Sequence, residues 1–360
     1  MSLKRTSLYE RHVALKAKLA EFGGFEMPIQ YSSVKDEVLA VRKTVGVFDV
    51  SHMGEFWVTG AEAVKFVDYL VTNDVASAPT GKAIYSPLCR PNGTIVDDLI
   101  VYKLAEDCIL ICVNASNISK DWGWISSHVG SFNCSLVNKS DETSLLAVQG
   151  PFAEEVLRKI GIDSNLLRKM SYYEVRSSIY RNENIVLART GYTGEDGFEV
   201  FAPHTTIAFL WDKLVQEKAI PCGLAARDVL RTEVCYPLYG HEINDNNTPL
   251  DAGLKWTVRS QKEKFVGKEA LLLHNPSTKL IKFTCKSGIP RPGHSIVNSQ
   301  HDVLGSVTSG THSVTLGLGI GLALVDAKKY IADQSCHIII RDKEHDITIQ
   351  DKPFVKGGHK

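Results

Sequence analysis

The 360-residue chain has no excess of charge in either sign: 41 Lys and Arg stand against 41 Asp and Glu. Non-specific nucleic-acid binding rests on a basic surplus, so no nucleic-acid partner is expected. No apolar run approaches the ~20 residues that a membrane-spanning helix needs, so no membrane segment is expected either. Eight cysteines occur, at 89, 108, 112, 134, 222, 235, 285 and 336, but no two have C-x-x-C spacing. That argues against a zinc or iron–sulfur site, and no metal ligands are assigned. Most of these cysteines fall in apolar runs and read as reduced, buried thiols. The first 24 residues carry Glu10 and Glu21 and no uninterrupted apolar core, unlike a secretory signal or an acid-poor transit peptide. A cytoplasmic protein is expected; a mitochondrial matrix location would require a leader already removed.

What is present is enough apolar sequence for two or three domains. Leu8, His12, Leu15, Leu19 and Phe22 recur at helical spacing, which predicts an amphipathic helix over 8–22, stopped by Gly23-Gly24. Extended chain follows around Pro28, then a helix opened by Ser33 through Val34, Val38 and Val41. Residues 47–58 read as one strand, 61–71 and 116–128 as helices, and 135–148 as strand. Pro151 is placed to start another helix. This alternation to about Leu238 argues for an α+β architecture. Near Lys279 the texture changes to short β runs with Gly, Ser, Pro and Thr turns, predicting a small all-β barrel or sandwich. The expected division is 1–275 and 276–360. Gly317-Leu318-Gly319-Ile320-Gly321 has the wrong spacing for a nucleotide fingerprint and lies between strands, so close backbone packing is expected there.

One stretch calls for a chemical explanation. Pro91-Asn92-Gly93 is a turn signal between the run Ala83 to Cys89 and the strand that carries Asp97 and Asp98. Side chains alternate along a strand, so Asp97 lies with Ile95 and Leu99, and Asp98 with Val96, Ile100 and Tyr102. Each carboxylate interrupts an apolar face, where an unpaired charge is costly. Either a structural partner or a cationic ligand answers that cost, and the pattern alone does not choose. Arg189 to Glu199, with glycines at 191, 194 and 197, is an acidic loop unsuited to a phosphate. A carboxylate accepting two bonds suits a ligand that presents N–H donors on a flat ring; an exposed hairpin is the other reading. Arg227-Asp228 by itself reads as a helical ion pair.

Taken together, Phe48-Asp49-Val50-Ser51-His52-Met53-Gly54, Asn92 to Tyr102, Arg189 to Glu199 and Gly223-Leu224-Ala225-Ala226-Arg227-Asp228 resemble the T-protein (aminomethyltransferase) family of the glycine cleavage system. The resemblance runs from Arg5 to about Val355. It implies a three-domain cloverleaf around a central folate channel, with two interleaved α+β domains and a C-terminal barrel. It implies Asp98 as the catalytic carboxylate, and Met53, Tyr85, Asn114, Tyr192, Glu199, Arg227 and Tyr236 as the tetrahydrofolate site. His52 is read as structural or as pocket wall. The implied reaction passes the one-carbon unit of an aminomethyl-lipoyl arm on H-protein to tetrahydrofolate, releasing ammonia and forming methylene-tetrahydrofolate. No metal or bound redox cofactor is needed for it. Lys4, Arg5, Arg11, Lys16 and Lys18 are candidate contacts for an acidic carrier.

Two departures bear on this. Thr94 follows Gly93 where many relatives have a second glycine, and His359 stands where some have a tyrosine. Two alternatives remain on the residues alone: a folate-dependent demethylase, which the same fold and Asp98 would serve, and a non-enzymatic folate-binding maintenance protein. The second is disfavoured because Lys264-Phe265-Val266-Gly267-Lys268-Glu269 lacks the cysteine of that family's motif.

Overall fold

The computed structural model describes residues 3–359, which fall into two compact units. One comprises residues 3–86, 99–227 and 357–359; the other comprises 87–98 and 228–356.

The first unit contains a six-stranded sheet and most of a five-stranded one. In the six-stranded sheet the order is Val175–Tyr180, Glu183–Ala188, Gly197–Pro203, Thr143–Gln149, Gly46–Asp49 and Ile220–Pro221. All its pairings are antiparallel except the last. Phe198, Val200, Leu146, Val148 and Leu187 pack with Ile207, Leu210, Trp211 and Leu214 of the His204–Gln216 helix, making the larger core of this unit. Residues 199 and 201 alternate to the opposite face of the same strand. The five-stranded sheet runs Lys82–Cys89, Ile95–Ala105, Cys108–Val113, Gly54–Thr59, Ser135–Asn138.

Several expected elements form as read. Ser33 caps the Val34–Lys43 helix, its hydroxyl accepting from the Asp36 amide at 3.0 Å. The Asn92-Gly93 turn closes with Gly93 at φ 85°, and the Arg90 amide donates to the Thr94 carbonyl at 2.8 Å. All eight cysteines are free thiols.

Three expectations are corrected. The strand predicted over 135–148 is broken at residues 139–142: Ser135–Asn138 pairs with Gly54–Thr59 in the five-stranded sheet, and Thr143–Gln149 pairs with Gly197–Pro203 in the six-stranded one. The helix predicted over 8–22 occupies only Tyr9–Ala14; Lys18–Phe22 is a strand paired antiparallel with Phe25–Gln30. Lys16 at φ 57° ends the helix, and Gly23 and Gly24 at φ 58° and 86° turn the hairpin. Two consecutive positive φ angles make the kind of turn that pairs strands, and that pairing overrides a short helical periodicity. The single strand predicted over 47–58 is broken at residues 50–53. Gly46–Asp49 and Gly54–Thr59 belong to different sheets, joined by a turn in which the Met53 amide donates to the Val50 carbonyl at 3.1 Å. Here Asp49 accepts from the Ser51 amide, the Thr6 hydroxyl and His12 Nε2, while His12 Nδ1 meets the Tyr31 hydroxyl. Burial alone would raise the Asp49 carboxyl, but the His12 and Ser51 bonds outweigh it and hold it below the usual range.

In the second unit, Thr278–Cys285, Leu318–Asp326, Val303–Ser313, Ser295–Asn298, Cys336–Ile340 and Lys343–Gln350 close into a six-stranded antiparallel barrel. Ile281, Phe283, Val307, Val325 and Ile338 fill its core. The glycines of 317–321 serve close packing: a Cβ on Gly319 would lie 2.2 Å from the Gly288 carbonyl, and one on Gly321 would lie 2.5 Å from the Phe283 ring. No helix among the described residues is long and apolar enough to cross a membrane.

Candidate active site

The Arg189 to Glu199 motif owes its shape to its own ion pairs. Arg189 and Asp196 meet through two bonds, Nε to Oδ1 at 2.9 Å and Nη2 to Oδ2 at 2.7 Å, both side chains buried. Glu195 pairs with Arg42 at 3.1 Å. Gly191 and Gly197 leave room for Gln149, which would sit 2.0 Å and 2.5 Å from a Cβ at those positions. Gln149 in turn accepts from the Thr193 hydroxyl and donates to the Thr190 carbonyl. Two of the three acids are therefore structural. Glu199 is the one left over.

Glu199 lies on the Gly197–Pro203 strand, on the face opposite Phe198 and Val200. It is 6% exposed, and its Oε2 accepts from the Tyr102 hydroxyl at 3.1 Å and from the Thr190 hydroxyl through a short bond. Tyr102 is fully buried, edge-on to Phe201 with centroids 5.3 Å apart. Burial, reinforced by the neighbouring Glu199 charge, drives its phenol well above the ordinary range, so it remains a donor. The face of the five-stranded sheet that bears Tyr102 therefore meets the face of the six-stranded sheet that bears Glu199.

Arg227 is delivered to the same place by its helix. Glu37, fully buried, accepts from the Gly223 amide at 2.8 Å and from the amides of Tyr31 and Ser32, which anchors the start of the Leu224–Glu233 helix. Only glycine fits at 223, since a Cβ would lie 2.2 Å from the Ile29 carbonyl group. One turn on, the Arg227 guanidinium stands 4.8 Å over the Tyr192 ring. Its Nη1 is buried with no hydrogen-bond partner among the described residues. Burial lowers its pKa, and the Glu199 charge acts against that. The sequence reading of Arg227-Asp228 as an ion pair is thus corrected: Asp228 pairs with Arg231 at 2.7–2.8 Å, on the side of the helix that Arg227 leaves.

Of the expected site residues, Glu199, Arg227, Tyr192, Met53, Tyr85 and Asn114 lie in the first unit, and all but Glu199 are half-buried. Asp98 and Tyr236, also half-buried, belong to the second. Asp97 is fully buried there; burial and a bond to Asp245 raise the phenol of Tyr239, and the Asp97 charge adds to that. His52 is buried, edge-on to Phe22 and Phe25 at 5.5 and 6.4 Å. Burial lowers its pKa to about 4, so it is neutral near pH 7 and has the character of a wall. Of the N-terminal cations, Arg5 pairs with Glu26, Arg11 doubly with Asp212, and Lys4 with Asp141. At the other end, His359 stacks on Tyr172 at 3.8 Å, and the Gly358 amide donates to Gly194 of the acidic loop. Sequence reasoning did not single out Tyr102 and Thr190 as site residues, although the alternation rule had already put Tyr102 on the Asp98 face.

Chemically, an aromatic face under a guanidinium, a carboxyl held by two hydroxyls and an unsatisfied buried N–H are groups that suit a flat, polar heterocycle. Residues 8–262 match the family described as the GCVT N-terminal domain, and residues 279–356 match the glycine cleavage T-protein C-terminal barrel domain. An aminomethyltransferase of Thermotoga maritima is 46% identical over 363 residues, covering 99% of each chain. One of Symbiobacterium thermophilum is 40% identical over 373 residues, covering all of this chain and 99% of that one. The crystal structure of the glycine cleavage system aminomethyltransferase T from Bartonella henselae has a TM-score of 0.93 at 31% identity, covering 99% of each chain. With matches to both family domains and relatives aligned end to end, the chain belongs to the glycine cleavage T-protein family of aminomethyltransferases.

Proposed function

We propose that this enzyme transfers the one-carbon unit of an aminomethyl-lipoyl arm, presented by H-protein, to tetrahydrofolate, releasing ammonia and forming 5,10-methylenetetrahydrofolate. The observation that carries the folate half is the buried Glu199 carboxyl near enough for its charge to act on Arg227, whose Nη1 has no partner among the described residues. Glu199 offers carboxylate oxygens to the amino and ring N–H groups of a pterin, a charge-assisted two-point contact. Tyr102 and Thr190 hold that carboxylate in place. Tyr192 supplies an aromatic wall, Arg227 a donor, and Met53, Tyr85, Asn114 and Tyr236 the remaining surface. Folate and H-protein are proposed here as co-substrate and partner, and 1–275 and 276–360 as the folate-binding and barrel regions.

For the chemistry, the folate nitrogens must be held in line with a carbon that bears sulfur and nitrogen, and positioning supplies much of the acceleration. Asp98 is the carboxylate assigned to the reacting centre, where it stabilises developing cationic charge or takes a proton from the attacking amine. The decisive experiment is turnover with H-protein carrying the aminomethyl arm, with and without tetrahydrofolate. Ammonia release that requires both is the expected result; turnover of a free methylated amine or thioether instead would move the chain to the demethylase reading.

A further inference from the structure

Glu55 lies outside the residues assigned to the folate site. It sits second in the Gly54–Thr59 strand, where its amide donates to the Ser140 hydroxyl at 2.9 Å and its carbonyl accepts from Lys139 at 2.9 Å. The side chain is fully buried, yet neither carboxyl oxygen has a hydrogen-bond partner among the described residues.

Register shows where that carboxyl points. Glu55 stands opposite Cys112, and Cys112 opposite Ile100; in the neighbouring row Trp57 stands opposite Leu110, and Leu110 opposite Tyr102. Directly paired residues project to the same face, as do alternate residues on one strand, so both rows share a face. It is the face from which Tyr102 reaches Glu199, and from which Cys112 acts electrostatically on Arg227. The intervening row, Phe56 with Ile111 and Val101, belongs to the other face, where Phe56 meets Trp122. The carboxyl thus projects from the same face as Cys112 and Tyr102, both of which Arg227 feels; Arg227 Nη1 is a second buried atom with no partner among the described residues, and His52 Nδ1 is a third, its ring close enough to feel Arg227.

We propose that Glu55 is a further ligand-contacting residue, taking a donor–acceptor edge of the bound heterocycle beside the edge that Glu199 reads. This rests on the folate reading above. A buried carboxyl without partners is costly to hold, and a ligand that supplies them offsets the cost. Burial pushes the Glu55 carboxyl well above the usual carboxylate range, which favours its protonated form, with one O–H donor and one carbonyl acceptor. Glu199 as a carboxylate matches two adjacent N–H donors. A reduced pterin presents both kinds of edge, an N–H and amino pair and a ring carbonyl flanked by ring nitrogen, so the two side chains divide the recognition.

The test is calorimetric titration of the full chain with tetrahydrofolate, with thermal melting of the ligand-free protein, for wild type, Glu55→Gln and Glu55→Met. Gln keeps a neutral donor and acceptor and is expected to bind within about threefold of wild type. Met keeps the volume and removes the polarity. It is expected to lose about tenfold or more in affinity, the scale of one good hydrogen bond, while the ligand-free protein melts no lower than wild type. Smaller losses for Met, losses as large for Gln, or a Met variant that melts lower or does not fold would each overturn the proposal. In the last two cases the carboxyl would have a structural partner. Failure of wild type to bind tetrahydrofolate would instead remove the folate reading itself; binding by wild type and Met alike removes only this inference.

Discussion

Arg189 and Asp196, seven residues apart, close the acidic loop on itself with a two-point ion pair from which water is excluded. Arg189 also donates to the Met170 carbonyl at 2.8 Å, so the pair ties the loop to the end of the Ser164–Lys169 helix. Removing one partner leaves the other charge buried and uncompensated. Asp196→Ala is therefore expected to cost about 3–5 kcal/mol of stability, read as a lower denaturant midpoint. A double variant, Arg189→Met with Asp196→Leu, should recover most of that loss; failure to recover would show that the loop needs the charges for more than packing.

Glu199→Ala deprives the Tyr102 and Thr190 hydroxyls of their acceptor and removes the proposed pterin contact. The expected loss of tetrahydrofolate affinity is about 2 kcal/mol, the scale of a charge-assisted contact. Calorimetry on a variant whose far-UV spectrum matches wild type measures it directly. An unchanged affinity would take Glu199 out of the site.

The two adjacent aspartates should separate function from stability. Asp97 is fully buried and electrostatically coupled to Tyr239, whereas Asp98 is half-buried. Asp98→Asn keeps size and much of the hydrogen bonding, so folding and folate affinity should stay near normal while turnover falls ~10²-fold or more. Asp97→Asn should lower the melting temperature and leave turnover per folded molecule little changed. If Asp97→Asn is instead the stable, inactive variant, the catalytic assignment belongs to the other face of the strand.

His52 makes the protein acid-sensitive in a defined window. Its pKa falls from 6.5 to about 4 because burial penalises the imidazolium. Between those values the unfolded chain binds a proton that the folded protein refuses, so stability falls as pH drops from about 6.5 to 4 and then levels off for this group. The full effect is on the order of 3 kcal/mol. Asp49, held below 3.8, adds a loss only at lower pH. Melting temperatures of wild type and His52→Gln, followed from pH 7 to 4, should converge as the pH falls. Parallel curves would mean that His52 titrates normally.

Gly223 is required by close approach rather than by its φ angle. Gly223→Ala would drive a methyl into the Ile29 carbonyl group and displace the start of the helix that carries Arg227. Both stability and folate affinity should fall. Ala225→Gly, on the same helix, is expected to cost only about 1 kcal/mol of stability and to leave the affinity unchanged.

The local grammar of the chain settled much of this fold. Ser33 before an apolar helical period, Asn92-Gly93 between two β-branched runs, and the change to short strands near Lys279 each specify an element through interactions with near neighbours in sequence. The four motifs, in order, were also sufficient for the family. Other decisions depended on residues far apart in the chain. The Lys18–Phe22 segment satisfies a helical period as well as a strand, and pairing with Phe25–Gln30 decided between them. The Gly46–Asp49 and Gly54–Thr59 segments read as one strand until two different sheets claim its halves. Which acids of the Arg189 to Glu199 loop are taken up in ion pairs was decided by Arg189 and Arg42, which pair with Asp196 and Glu195 and leave Glu199. Glu55, polar in an apolar strand, resembles any solvent-facing position in sequence; only the cross-strand register buries it beside Cys112, on the face where Tyr102 meets Glu199. Hydrophobic period and turn chemistry act over a few residues, whereas a site assembled from two sheets and a helix exists only once long-range pairing has set every strand in register.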